Sequence, residues 1–190
     1  MDVASLLAPH PAVERVWLTG SRAGGEPHAL SDWDWAVIAN DFGAVARDLP
    51  RLLEPLEPVS ALWDPYSDIE CYMLILRGAT KVDVLFPDVR REWDGPWRPS
   101  AKTLPQIDAH FWDWILWTEQ KRSGGNDEVV EKSLSDMHRL LLEPMGVLRA
   151  PETVPRALDA YLEARTRLEE IYGVKVAREL QREAEPVVRT

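Results

Sequence analysis

The chain has 190 residues, 45% of them hydrophobic and 28% charged, proportions that exclude general disorder and suit one good core or two small ones. Its 22 basic residues against 32 acidic ones leave a formal net charge of −10, and a surface of that sign repels a phosphate backbone at long range, so nucleic acid is a poor expectation for a partner. A single cysteine, Cys71, excludes an intramolecular disulfide, a Cys-x-x-Cys redox pair and a cysteine zinc site.

Residues 2–8 suit a short helix, which Pro9 and Pro11 end before the strand-like run Val16-Trp17-Leu18. That strand leads into Gly20-Ser21 and a glycine-rich stretch. Trp33 to Ile38 then reads as a second strand, because Trp-Asp-Trp-Ala-Val-Ile combines aromatic and β-branched residues with alternation at its start. Phe42 to Leu53 has helical spacing, with Phe42, Val45, Leu49, Leu52 and Leu53 on one face. Val59 to Trp63 predicts a third strand. Ile69 to Leu76 and Lys81 to Phe86 form two more, joined by a connection of hairpin length at Arg77-Gly78-Ala79-Thr80. Pro87, Pro96, Pro99 and Pro105 discourage regular structure and place a lobe boundary in that region.

Beyond the boundary the pattern is helical: Gln106–Arg122, a stop at Ser123-Gly124-Gly125-Asn126, then Asp127–Leu142, and a further stretch starting at Pro151 with Leu158, Leu162, Arg165 and Leu168 in helical register. The expected architecture is therefore α+β, with a mixed-sheet catalytic lobe over residues 1–92 and a helical lobe over 100–190. No apolar run approaches the roughly 18 residues of a membrane span, and no secretory leader pattern opens the chain. A cytoplasmic protein is expected.

The most informative segment is Leu18-Thr19-Gly20-Ser21, followed after ten residues by Asp32-Trp33-Asp34-Trp35. Residues i and i+2 of a strand project to one side, so Asp32 and Asp34 present two carboxylates together. Their repulsion is useful only against a cation, and hard oxygen ligands suit magnesium carrying a nucleoside triphosphate. Gly20 permits close backbone approach, while Ser21 supplies a hydroxyl at the start of a helical turn whose amides favour phosphate. Arg22, beside that turn, is placed to reach a triphosphate tail. Asp83 lies between Val82 and Val84, so its carboxylate faces away from the core that the valines enter.

These residues resemble the polymerase β-type nucleotidyltransferase superfamily, whose pattern is an apolar residue, Gly-Ser, a spacer, Asp-apolar-Asp-apolar and a later carboxylate between apolar residues. Leu18-Thr19-Gly20-Ser21, Asp32-Trp33-Asp34-Trp35 and Val82-Asp83-Val84 match it in order, over about residues 13–86. With its helical second lobe the chain looks most like the small bacterial antibiotic nucleotidyltransferases, of aminoglycoside or lincosamide type, and the minimal nucleotidyltransferases. Trp33 and Trp35 are bulkier than the aliphatic residues of the pattern.

The resemblance implies that Asp32 and Asp34 hold two magnesium ions, that Gly20, Ser21 and Arg22 bind the nucleotide, with ATP the first to expect, and that Asp83 completes a metal site or acts as base. Glu119, on the aromatic helix, is the other candidate base, although a solvated face is the plainer expectation for it. The site is expected between the lobes, and the acidic surface favours a neutral or cationic small-molecule acceptor. A homodimer is compatible with this reading. The competing reading is an antitoxin-like nucleotidyltransferase that binds or modifies a helical toxin partner; an inactive nucleotide-binding scaffold ranks third.

Other features read as structural. The run Phe111 to Trp117 fits a helical core better than a base-stacking platform. Lys102, Lys121 and Arg122 read as surface charges, His10, His28, His110 and His138 lack metal-ligand spacing, and Cys71 reads as a buried strand residue. P-loop, dinucleotide-binding and nucleophile-elbow motifs do not occur in the sequence.

Overall fold

A computed structural model describes residues 2–25, 27 and 30–189; His28 lies outside them. The architecture is α+β, a five-stranded mixed sheet with helices followed by an all-helical stretch, and the chain divides into two compact units at residues 94 and 95. Among the described residues no helix is long and apolar enough to cross a membrane.

The first unit opens with α1 (Val3–Leu7), capped by the Asp2 carboxylate, then β1 (Val13–Thr19), the single turn α2 (Gly20–Ala23) and β2 (Trp33–Ala39). Next come α3 (Phe42–Leu53), whose first turn is capped by Asp41, and strands β3 (Ser60–Trp63), β4 (Ile69–Leu76) and β5 (Thr80–Arg90). The sheet order is β1-β2-β5-β4-β3. All neighbours are antiparallel except β2 and β5, which run parallel at the centre. One face of the sheet is apolar: Trp35 and Val37 from β2, Leu74 from β4 and Val82, Val84 and Phe86 from β5 pack with Val45, Leu49 and Leu53 of α3. Alternation then sends Asp34 and Asp83 to the other face.

β5 runs past Pro87, where the sequence placed a boundary. Pairing with β4 jumps from Glu70–Phe86 to Ile69–Arg90, so residues 87–89 bulge out of the ladder, and β2 pairs only as far as Leu85. A proline without an N–H is tolerated in such a bulge because no ladder hydrogen bond is asked of it.

The second unit contains α4 (Leu104–Ser123), α5 (Asp127–Met137), α6 (Val154–Tyr172) and α7 (Glu179–Val188). The expected continuous helix to Leu142 instead widens at its end into a π-helical turn over His138–Leu142. α6 begins three residues after Pro151, where the extended Thr153 caps it through its hydroxyl. The aromatic run of α4 is core: Phe111 and Trp112 are fully buried, and the Phe111 ring stacks on Tyr161 with centroids 3.6 Å apart.

Buried polar groups tie these helices together. Asp108 of α4 accepts hydrogen bonds from the Tyr161 hydroxyl, from Arg165 Nη1 at 2.8 Å and from Trp112 Nε1 at 3.3 Å. Burial pushes the Asp108 carboxyl above the usual range, and these donors oppose that rise. Arg165 also reaches Gln181 of α7 at 2.5 Å. At the end of α6, Glu169 accepts from Arg178 Nη2 at 2.6 Å and from the Val176 N–H at 2.9 Å. Burial opposes its ionisation, yet the Arg178 and Val176 hydrogen bonds and the charges of Arg178 and Lys175 hold it at about 2.

Because Glu169 titrates lower in the folded chain than its ordinary 4.5, its stabilisation is complete above about pH 4.5 and is lost as pH falls toward 2. Glu169→Gln is expected to cost on the order of 2–3 kcal/mol at pH 7, since Arg178 and the Val176 amide lose a charged acceptor, and to flatten that part of the acid limb in urea melts taken across pH. An acid limb as steep as that of the wild type would contradict this.

Candidate functional site

β1 and β2 pair so that Thr19 lies opposite Asp34, and β2 and β5 pair so that Asp34 lies opposite Asp83. Directly opposed residues share a face, so the two carboxylates project together from the parallel pair. Asp32, just before β2, is 5% exposed. One carboxylate oxygen from each of Asp32, Asp34 and Asp83 lies within 4.8 Å of the other two.

Gly20 completes this arrangement. Its φ of +69° is in the left-handed region, and a Cβ built on it would stand 2.0 Å from Asp34 Oδ2. Both the turn out of β1 and the approach of the Asp34 carboxylate therefore require a residue without a side chain. Ser21 follows, exposed, in the α2 turn.

Three carboxylates this close repel one another, and burial removes the water that would screen them. Asp83 Oδ1 is buried and makes no hydrogen bond. Lys81 Nζ is 3.7 Å from it, with the lysine side chain 3% exposed and that of Asp83 14%. A buried carboxylate oxygen without a donor, in an all-oxygen cluster of hard anionic ligands, fits magnesium or manganese.

Lys81 and Asp64 escaped the sequence reading. Lys81 could have been found from the alternation that placed Asp83, since it sits two residues earlier on the same face of β5. Asp64 arrives by long-range pairing: its N–H donates to the Cys71 carbonyl, extending the β3–β4 ladder by one residue, and its carboxylate accepts from the Tyr66 N–H at 2.8 Å. Burial raises the Asp64 carboxyl above the usual range. The Tyr66 N–H and the charges of Lys81 and Arg91 oppose the rise, and Asp83 adds to it.

Arg22 is engaged with the backbone. Its Nε donates to the carbonyls of Ser31 and Asp32, both at 3.0 Å, its Nη2 donates to Ser31 at 2.7 Å, and its guanidinium carbon lies 4.3 Å from the Trp33 ring centroid. It thus fastens the α2 turn to the backbone at the start of β2.

Glu119 belongs to the second unit and is not on a solvated face. It is 2% exposed, and its carboxylate accepts from Arg122 Nε and Nη2 at 2.7 and 2.6 Å and from the Ser123 hydroxyl at 3.3 Å. α4 is enclosed on most sides, and Arg122 one turn later supplies the compensating charge, its own pKa raised by that hydrogen bond. Lys102 is exposed, and Lys121 lies over the Trp117 ring. His10 accepts the Ala12 N–H and faces Asp48, His110 accepts from Trp97 Nε1, and His138 bonds the Val147 carbonyl.

No protein-family model matches the chain, and no curated protein matches it by sequence. Among solved structures, it is similar to an aminoglycoside 6-adenyltransferase from Bacillus subtilis, with TM-score 0.40 and 10% identity over 100% of this chain and 97% of that one. It is also similar to the polymerase core of TRAMP, an RNA surveillance complex, with TM-score 0.39 and 11% identity over 90% of this chain and 56% of that one. Likenesses this distant carry no functional weight.

Gly20→Ala is expected to displace the Asp34 carboxylate and to cost about 1–2 kcal/mol from the left-handed backbone alone. Manganese binding followed by calorimetry should weaken at least tenfold in a variant that is still folded by circular dichroism. Wild-type affinity in that variant would show that Gly20 does not set the position of Asp34.

Proposed function

We propose that the chain is a metal-dependent nucleotidyltransferase that moves a nucleoside monophosphate from a nucleoside triphosphate, ATP first among them, to a hydroxyl of a small-molecule acceptor. The observation that carries this reading is the convergence of Asp32, Asp34 and Asp83 on the polar side of the β2–β5 pair, with a buried Asp83 oxygen lacking a hydrogen bond. A glycine-led turn at the end of the adjoining strand adds to it.

In this reading Asp32 and Asp34 would hold magnesium, two ions in the working complex, and Asp83 would complete the site. Bound magnesium would neutralise charge on the phosphates and favour pyrophosphate as leaving group. The amides of the Gly20–Ala23 turn and the Ser21 hydroxyl would serve the phosphate oxygens, and Arg22 keeps that turn and the Asp32 backbone in fixed relation. The acceptor oxygen bonds to the α-phosphorus while the bond from that phosphorus to the bridging oxygen breaks. Pyrophosphate leaves with the electron pair, and the hydroxyl proton passes to a carboxylate. Asp83 is the first candidate for that base. Glu119, whose carboxylate Arg122 and Ser123 already engage, is the second.

The net charge of −10 favours a neutral or cationic acceptor, and an aminoglycoside-like or lincosamide-like antibiotic is the class to test first. Calorimetric titration of a non-hydrolysable ATP analogue with magnesium should show binding by the wild type that is lost in Asp32→Ala/Asp34→Ala, with GTP, CTP and UTP analogues giving the preference. Absence of binding for every triphosphate by folded wild-type protein would overturn the proposal.

A further inference from the structure

On the sheet face away from Asp83, a cavity of about 560 Å³ opens between the end of α3, the turn that follows it and the β3–β4 pair. Leu53, Ala61, Leu74 and Tyr72 line its body, and the exposed Glu54 and Glu57 line its mouth. Register fixes its side of the sheet: Tyr72 and Leu74 lie opposite Val84 and Val82, whereas Asp83 lies opposite Met73. We propose that this cavity is a second binding site, for a small amphipathic cation with one ammonium group on an apolar body. It does not rest on the transfer reaction above.

Tyr72 points to a ligand. The residue is 6% exposed, yet its hydroxyl makes no hydrogen bond with any described residue. A phenol buried to this degree ordinarily has a partner. The hydroxyl is not sealed from solvent, so the opening it faces is the cavity that the side chain lines. Burial pushes the phenol above its ordinary value, which keeps the O–H intact as donor and acceptor.

The charge at the mouth decides the class of ligand. The Glu57 N–H donates to the Glu54 carbonyl at 2.9 Å, and Glu57 takes a φ of +51°, where residues other than glycine are uncommon. Both carboxylates thus leave one tight turn, and neither has a hydrogen bond or ion pair among the described residues. Arg51, also on the lining, is engaged with Asp48 at 3.5 Å. Two negative charges at the mouth are therefore left without a partner. They repel an anion and attract an ammonium whose apolar body displaces water from the cavity. The volume lies within the roughly 300–1,000 Å³ of small-molecule sites.

The probes are 4-phenylbutylamine, 4-phenylbutanol and 4-phenylbutyrate, which share one apolar body and differ in head-group charge. Each is titrated in excess magnesium and followed by NMR of the Leu53, Ala61 and Leu74 methyl groups, with folding of every variant checked by circular dichroism. At low salt the amine should shift these methyls and bind about fivefold more tightly than the alcohol, the size of effect that two exposed carboxylates supply. The acid should not bind. Added salt should weaken the amine alone. Asp32→Ala/Asp34→Ala should bind the amine as the wild type does, which separates this site from the carboxylate cluster. Glu54→Gln/Glu57→Gln should bring the amine down to the affinity of the alcohol, and Tyr72→Phe should weaken both at least threefold. Methyl groups unmoved by any probe, equal affinity for amine and alcohol, or preference for the acid would overturn the proposal. So would amine binding that is lost in Asp32→Ala/Asp34→Ala or unchanged in Glu54→Gln/Glu57→Gln.

Discussion

The repulsion among three carboxylates, whose oxygens are held within 4.8 Å of one another, is the constraint around which the first unit is organised. A folded chain tolerates such a cluster only when it is anchored by favourable interactions elsewhere and compensated in charge. The anchoring comes from the opposite face of the same strands. Val82 and Val84 are fully buried, and Trp35 and Val37 join them in the core against α3. A slip of one residue between β2 and β5 would turn the apolar set toward the polar face. Burial of the valines and tryptophans therefore fixes where Asp34 and Asp83 point.

Compensation comes from residues on and beside these strands. Lys81 reaches Asp83 from two residues away on β5, and Arg22 donates hydrogen bonds to the carbonyls at the entry to β2. Gly20 contributes by lacking a side chain, which lets the Asp34 carboxylate lie over the turn that ends β1. Carboxylate cluster, turn and counter-charge thus all depend on one strand register. The second unit uses a different device, a buried polar network from Asp108 through Arg165 to Gln181, which links three helices distant in sequence.

Much of this was legible because it is periodic. α3 has the ends its apolar spacing predicted, β4 runs from Ile69 to Leu76 as read, and the alternation Val82-Asp83-Val84 placed a carboxylate opposite the core. What escaped depends on partners far along the chain. Pro87 looked like a boundary because a bulge in the β4–β5 ladder cannot be read from one strand. Arg22 looked free for phosphate because nothing local announces the carbonyls of Ser31 and Asp32. Glu119 looked solvated because α4 carries charges around its circumference, although packing encloses it and Arg122 compensates it. Asp64 is brought to Lys81 and Asp83 by sheet pairing alone.

The most direct test of the central claim is anomalous diffraction from crystals of the protein soaked in manganese and a non-hydrolysable ATP analogue. The account predicts anomalous density among the carboxylates of Asp32, Asp34 and Asp83, with the triphosphate running toward the Gly20–Ala23 turn. Manganese bound elsewhere, with these three carboxylates unliganded at saturating metal and nucleotide, would contradict it.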